Sequence, residues 1–193
     1  MRLGFHSARA ADIVEITECP ILLPAIARTL PGLPALLMPL LSRRGEARVG
    51  VTAADNGLDI DVAGASPDLD AGRRRIAARA AAELGLIRLT LAGEAIYQAG
   101  KPIVSFDGVE VVLPPNAFLQ PTRPAEAAMS ALVGAGVGKA RRIVELFAGL
   151  GTFTFALART GKVLAVEGDK ALLAALTEAV RAAKGRKAIA TLK

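Results

Sequence analysis

Two acids and two glycines near the C-terminal end of the chain have the types and spacing to hold a ligand. Glu145 stands in the apolar run IVELF, Gly149 and Gly151 follow it, and Glu167 ends a second apolar run, KVLAVE. Glycines at a strand-to-helix turn let the backbone reach positive φ and let a ligand approach with no Cβ in the way. An acid at the end of the next strand is where doubly wound sheets meet the ribose hydroxyls of an adenosine-type ligand. A turn that merely joins a strand to a helix accounts for the glycines but not for both acids.

Neighbouring patterns fail here. A dinucleotide fingerprint needs G-x-G-x-x-G, and Thr154 stands where its third glycine belongs. A phosphate loop needs G-x-x-x-x-G-K-[ST], yet Gly161-Lys162 is followed by Val163. What remains is an acid, three residues and G-x-G. That form suits a cofactor carrying a sulfonium cation and no phosphates, with Glu145 placing negative charge near the cation.

These residues need strands and helices to position them. From Arg141 onward the pattern is βαβα: strand 142–147, helix 152–159, strand 162–167, helix 169–183 and a third strand from near Lys187. Such alternation implies a parallel sheet. Upstream, short strands are expected at Leu3–Ser7 and Asp12–Ile16, and helices at Pro20–Thr29 and Leu33–Ser42, each opened near a proline. Strands Arg48–Thr52 and Leu58–Val62 flank ADNG, where Asn56-Gly57 is a hairpin signal because both accept positive φ. A helix Pro67–Leu84, ended by Gly85, precedes strands Leu86–Leu91 and Ala95–Gln98. Strand Val109–Pro115 and a helix from about Pro124 to Val133 follow, with Gly134, Gly136 and Gly138 marking a break. The expected fold class is α/β. An α+β domain with a mainly antiparallel sheet spans 1–115, a loop and helix span 116–140, and an incomplete Rossmann-like domain spans 141–193.

Composition sets outer bounds. Hydrophobic residues make up 52% of the chain but aromatics only 4%, so aliphatic side chains must build the core. The run LLMPLL is too short for a membrane span and contains Pro39, and the first residues lack the apolar stretch of a secretory signal, so a cytoplasmic protein with no membrane partner is expected. The net charge is +6, with basic clusters at Arg43-Arg44, Arg73-Arg74-Arg75, 139–142 and 184–187. RNA suits this distribution, although solvated helix faces explain it equally well, and no aromatics interleave with the basic residues to stack bases. The single cysteine, Cys19, excludes an internal disulfide.

Three stretches in order carry a resemblance. ELFAGLGTFTFALA with AVEGD, the segment AFLQPTRPAEAAM, and DIVEITECPIL resemble the bacterial RNA uracil-5-methyltransferases, which modify ribosomal or transfer RNA with S-adenosylmethionine. The resemblance runs from about Gly4 to the end. It implies that Gln120, Phe147, Thr152 and Glu167 contact the cofactor, with Glu167 on the ribose, Phe147 near the methionine end and Gln120 reaching in from its loop. Gly149 and Gly151 would give close backbone approach, beside Glu145. Gln120 also reads as a polar loop residue satisfying local backbone. The DIVEITECP segment favours the iron–sulfur branch acting on 23S ribosomal RNA, where Cys19 would be the distant fourth ligand of a [4Fe–4S] cluster. The other three cysteines of that cluster are absent, so Cys19 also reads as an unpartnered thiol. Departures from the family pattern are Glu145 for Asp, Ala148 for Cys, Thr122 for Asn and Thr152 for Asn.

The family's chemistry uses a cysteine thiolate on uracil C6 and a base for the C5 proton, both on later strands of a seven-stranded sheet. This chain shows neither, and only three of the strands. The resemblance therefore implies a fragment with no catalytic residue of its own, expected to be inactive and to self-associate through the edge of its incomplete sheet. The alternative is a non-catalytic RNA-binding or scaffold protein on a degenerate methyltransferase fold.

Overall fold

A computed structural model of the chain describes residues 1–10, 12–42, 45–64, 69–183 and 189–193. The basic clusters at Arg43-Arg44 and 184–187, the start of the helix expected from Pro67, and the start of the last strand near Lys187 lie outside the described residues. The chain divides into two compact units, Met1–Pro102 and Ile103–Lys193.

The first unit opens with β1 (Gly4–His6) paired antiparallel to β2 (Ile13–Glu15). The helix expected over Pro20–Thr29 shrinks to one turn, α1 (Pro24–Ala27). The next is α2 (Leu33–Leu37), continued by a 3-10 turn at Met38–Leu40. Pro24, Pro31, Pro34 and Pro39 explain this break-up, since each removes a backbone donor and suits only a first turn. Then come β3 (Arg48–Ala54), β4 (Gly57–Ala63), α3 (Ala71–Glu83), β5 (Leu86–Leu91) and β6 (Glu94–Gln98). The sheet order is β3-β4-β5-β6, antiparallel except for β4–β5. At the first hairpin the loop falls one residue earlier than expected. Ala54 pairs with Gly57 around Asp55-Asn56, and of Asn56 and Gly57 only Gly57 takes a positive φ, 148°.

Strand alternation and helix period agree on this unit's core. Ile60, Val62 and Leu89 face Ala77 and Ala81 of α3 and Leu36 of α2, all fully buried. Asp70 caps α3 by accepting the Arg73 amide at 2.8 Å. Opposite Ile60 and Val62 the same strands carry polar groups. Arg88 donates twice to Asp59, at 2.9 and 2.6 Å, with both side chains 7% exposed, and Thr90 donates to Asp61 at 2.6 Å.

The second unit begins earlier than the expected boundary near Pro115. β7 (Ile103–Phe106), for which no strand was expected, pairs antiparallel with β8 (Val109–Val112), and this hairpin packs under the last helix. Its signal was present in the sequence. Asp107-Gly108 lies between alternating apolar residues and both adopt positive φ, 50° and 77°, as a two-residue hairpin turn requires. Next, α4 (Arg123–Val137) runs straight through Gly134 and Gly136, so the expected break falls only at Gly138, with φ 58°. Isolated glycines weaken a helix by about 1 kcal/mol each without ending it. β9 (Arg142–Leu146), α5 (Thr154–Leu157), β10 (Lys162–Val166), α6 (Lys170–Ala182) and β11 (Ile189–Leu192) complete the chain. The sheet order is β11-β10-β9, all parallel. No helix among the described residues is long and apolar enough to cross a membrane.

Asp59→Ala leaves the Arg88 guanidinium buried without its carboxylate. A loss of about 3–5 kcal/mol is expected in urea unfolding. Replacing both partners by apolar residues of similar volume should cost far less, because no charge is then stranded.

Candidate functional site: the glycine turn of the second unit

The turn between β9 and α5 is built from backbone amides tied to side-chain carboxylates. β9 and β10 lie in register, with Glu145 opposite Ala165 and Leu146 opposite Val166. Beyond the last pair, the Ala148 amide donates to the Val166 carbonyl at 3.0 Å and Gly151 closes back on Ala148 at 2.9 Å. Ala148 and Leu150 are buried beneath the turn.

Glu167, 8% exposed, joins the two strand ends. One carboxylate oxygen accepts the Gly149 amide at 2.8 Å and the other accepts the Asp169 amide at 2.7 Å. A carboxylate has about four acceptor positions, so roughly two remain for a ligand's hydroxyls. Asp169 in turn caps α6 through the Ala171 and Leu172 amides at 2.8 and 3.0 Å.

The glycines differ in what they permit. Gly149 has φ 58°, and a Cβ there would meet nothing within 4 Å, so the turn presents open backbone at that point. Gly151 has φ 91°, and its Cβ would lie 2.7 Å from both Leu176 Cδ1 and Phe155 Cε2, two buried side chains. Gly149 leaves open backbone at the surface of the turn; Gly151 is required by packing.

Glu145 is half-buried, and Thr154 Oγ1 donates to it at 2.6 Å. Thr154 is itself fully buried. Burial pushes the Glu145 carboxyl above its ordinary value, and the Thr154 hydroxyl partly opposes this. Among the described residues no Lys or Arg pairs with Glu145 or Glu167, so the turn of a basic protein carries two carboxylates without a cation. Such a site repels phosphate and attracts cations and hydroxyl donors.

The other expected residues fall out as follows. Phe147 is 90% exposed at the rim with φ 56°, a conformation that bulky residues avoid and that clusters at functional sites. Thr152 was expected to start a helix, but α5 begins only at Thr154, so Thr152 lies half-buried in the turn. Gln120 is half-buried in the loop before α4 and makes no side-chain hydrogen bond among the described residues. The structure thus ties Glu167 to Gly149 directly but links Gln120 only through chain continuity to α4, which packs on α5. Thr122 caps α4 by accepting the Ala125 amide at 3.2 Å, a role asparagine fills equally well. Sequence reasoning missed Thr154, although it stands in the same GTFT string. Only the fold aims its hydroxyl at Glu145.

Cys19 is a free, half-buried thiol in the first unit. Among the described residues no three His, Cys, Asp or Glu side chains come together as metal ligands. One thiolate does not fit a cubane cluster, which takes four. A cavity of about 710 Å³ in the first unit is walled by Leu3, Phe5, Ile16, Leu30 and Val51, with the His6–Glu46 pair among its lining. The glycine turn does not line it.

The combined architecture is a methyltransferase-type α/β fold. It superposes on a crystal structure of a Pyrococcus abyssi tRNA (uracil-54, C5)-methyltransferase in complex with S-adenosyl-L-homocysteine with a TM-score of 0.72. That match is 13% identical and covers 94% of this chain and 49% of that one. In sequence the chain is homologous over nearly its whole length to part of several proteins named RNA methyltransferases. An uncharacterized RNA methyltransferase of Rhizobium meliloti is 41% identical over 191 residues, 99% of this chain and 46% of that protein. The 23S rRNA (uracil(1939)-C(5))-methyltransferase RlmD of Aeromonas salmonicida is 31% identical over 186 residues, 93% of this chain and 42% of that protein. The chain spans about half the length of the curated relatives it matches. No protein-family model matches it.

Two outcomes follow from this geometry. Phe147→Asn, which accepts positive φ, should raise stability by about 0.5–1 kcal/mol in urea unfolding, since little buried surface is lost. Because the folded Glu145 carboxyl binds its proton more tightly than the unfolded one, its contribution is most favourable below the unfolded value and falls as pH rises through the raised one. Glu145→Gln should therefore gain stability relative to wild type as pH rises above the unfolded carboxyl's value and through the raised folded one, read from unfolding midpoints.

Proposed function

We propose that the glycine turn binds S-adenosylmethionine, and that this chain is the cofactor-cradling part of an RNA methyltransferase acting on C5 of a uridine, in 23S ribosomal RNA rather than transfer RNA. The observation that carries the reading is the pair of carboxylates, unmatched by any cation among the described residues, on either side of the open backbone at Gly149. A phosphate-bearing cofactor is disfavoured there, and a sulfonium with an adenosine ribose is favoured. The names of the relatives support RNA as substrate, and RlmD's supports ribosomal RNA.

When bound, S-adenosylmethionine supplies an electrophilic methyl group. Glu167 offers its remaining acceptor positions to the ribose hydroxyls, and Glu145 sets a negative charge on the side of the sulfonium. Phe147 and Thr152 line the turn, Gln120 reaches in from the loop before α4, and Gly149 and Gly151 shape the backbone. The only cysteine, Cys19, belongs to the first unit, so residues 103–193 supply no thiol nucleophile. The 193 residues are expected to bind cofactor without turnover. If an iron–sulfur cluster belongs to the whole enzyme, Cys19 contributes one thiolate of its four. A cytoplasmic setting fits this substrate. Val144 and Leu146, 64% and 63% exposed on β9, are proposed to meet a second copy of the chain, which light scattering would register as a dimer.

Calorimetry with S-adenosylhomocysteine tests the cofactor reading. Glu167→Ala should weaken binding at least about tenfold, since a carboxylate bonded to hydroxyls is worth about 1.5–3 kcal/mol. Unchanged affinity in the variant would sink the ribose role. Salt-dependent RNA binding with no cofactor binding would instead favour a non-catalytic RNA-binding protein on this fold.

A further inference from the structure

Thr154 is the residue whose role neither the turn nor the relatives' names account for. Its side chain is fully buried, yet it places a hydroxyl 2.6 Å from the carboxylate of Glu145. A buried hydroxyl could satisfy itself on a preceding helical carbonyl; here it is spent on an acid. We infer that Thr154 is a positioning residue: its hydroxyl holds Glu145 in the charged form and so sets how strongly the turn prefers a sulfonium ligand over the uncharged thioether left once the methyl group has gone. The inference rests on the cofactor reading above and deepens it.

Among the described residues around Glu145, that hydroxyl is what favours its charge against burial. On β10, Lys162 pairs in register with Arg142, both exposed at the opposite end of the strands from Glu145. Glu167, beyond the end of β10, spends its oxygens on two amides, and its negative charge does not neutralise Glu145. α5 carries no charged residue, and Arg159, just after it, pairs with Asp107 at 2.6 Å. On α4, packed against α5, Arg123 and Glu126 pair with each other. Asp169 is engaged as the α6 cap. Burial disfavours the charge on Glu145, and among the described residues the Thr154 bond is what opposes burial.

A sulfonium ligand supplies the missing cation and a thioether does not. The two ligands S-adenosylmethionine and S-adenosylhomocysteine share their ammonium, carboxylate and adenosine, so the ratio of their affinities isolates the sulfonium charge. With Glu145 ionised the ratio favours the sulfonium; with Glu145 protonated the preference fades. The ratio should therefore climb as pH rises through the titration of Glu145, then level off.

Calorimetry with both ligands over a series of pH values reads this ratio in four proteins. Wild type and Thr154→Ser should show the same rising profile. Thr154→Val should displace the rise to higher pH and lower the ratio along the wild-type rise by up to about tenfold, the value of one charge-assisted hydrogen bond. Glu145→Gln should give a flat profile. A wild-type ratio and profile in Thr154→Val overturns the inference. A flat ratio in every protein, with both ligands still binding, overturns it too while leaving the cofactor reading intact, because Glu145 then meets the ammonium the ligands share. Failure of both ligands to bind wild type overturns the cofactor reading and this inference together. If Thr154→Val does not fold, the Glu145 side-chain carboxyl can be followed by carbon NMR in wild type. Its titration midpoint should drop on adding the sulfonium ligand and stay unmoved with the thioether; equal effects of the two overturn the proposal.

Discussion

One carboxylate holds the site together. Glu167 lies at the end of β10 and spends an oxygen on the amide of Gly149 and another on the amide of Asp169. The first bond ties the turn after β9 to the neighbouring strand; the second sets the start of α6. The first also adds to the backbone bonds of Ala148 in keeping a left-handed glycine, and a left-handed phenylalanine two residues before it, in place. A buried carboxylate needs donors, and the two turn amides supply them. The surface of the turn is thus fixed by the protein's own bonds.

The electrostatics of the turn run against those of the chain. A protein with net charge +6 concentrates two acids at one strand end and pairs neither with a cation among the described residues. Elsewhere it does pair its acids, most tightly where Arg88 and Asp59 are buried together in the first unit. Leaving Glu145 half-buried and without a cation among the described residues costs stability.

Much of the second unit was legible because its signals are local. The strands expected over 142–147 and 162–167 are β9 and β10, each one residue shorter than its alternation suggested. The errors share a cause. Gly134 and Gly136 read as a break, but a helix tolerates isolated glycines when its other residues are strong formers. The Asp107-Gly108 hairpin went unread although its turn chemistry is explicit, and with it the true start of the unit. Helices expected near Pro20 and Thr152 proved to be single turns, because proline spacing in one and the tight glycine turn in the other leave no room for more.

By itself the sequence determined the order of strands and helices, the parallel βαβα grammar and the identity of the acids and glycines. Those properties follow from residue type and spacing along the chain. It could not say that a Cβ at Gly149 would meet nothing while Gly151 is demanded by Phe155 and Leu176. Nor could it say that Glu167 already bonds two amides, or that Thr154 rather than Thr152 carries the hydroxyl facing Glu145. Each of these depends on which atoms meet across strands and turns, and such contacts exist only once the tertiary packing has brought distant residues within bonding range.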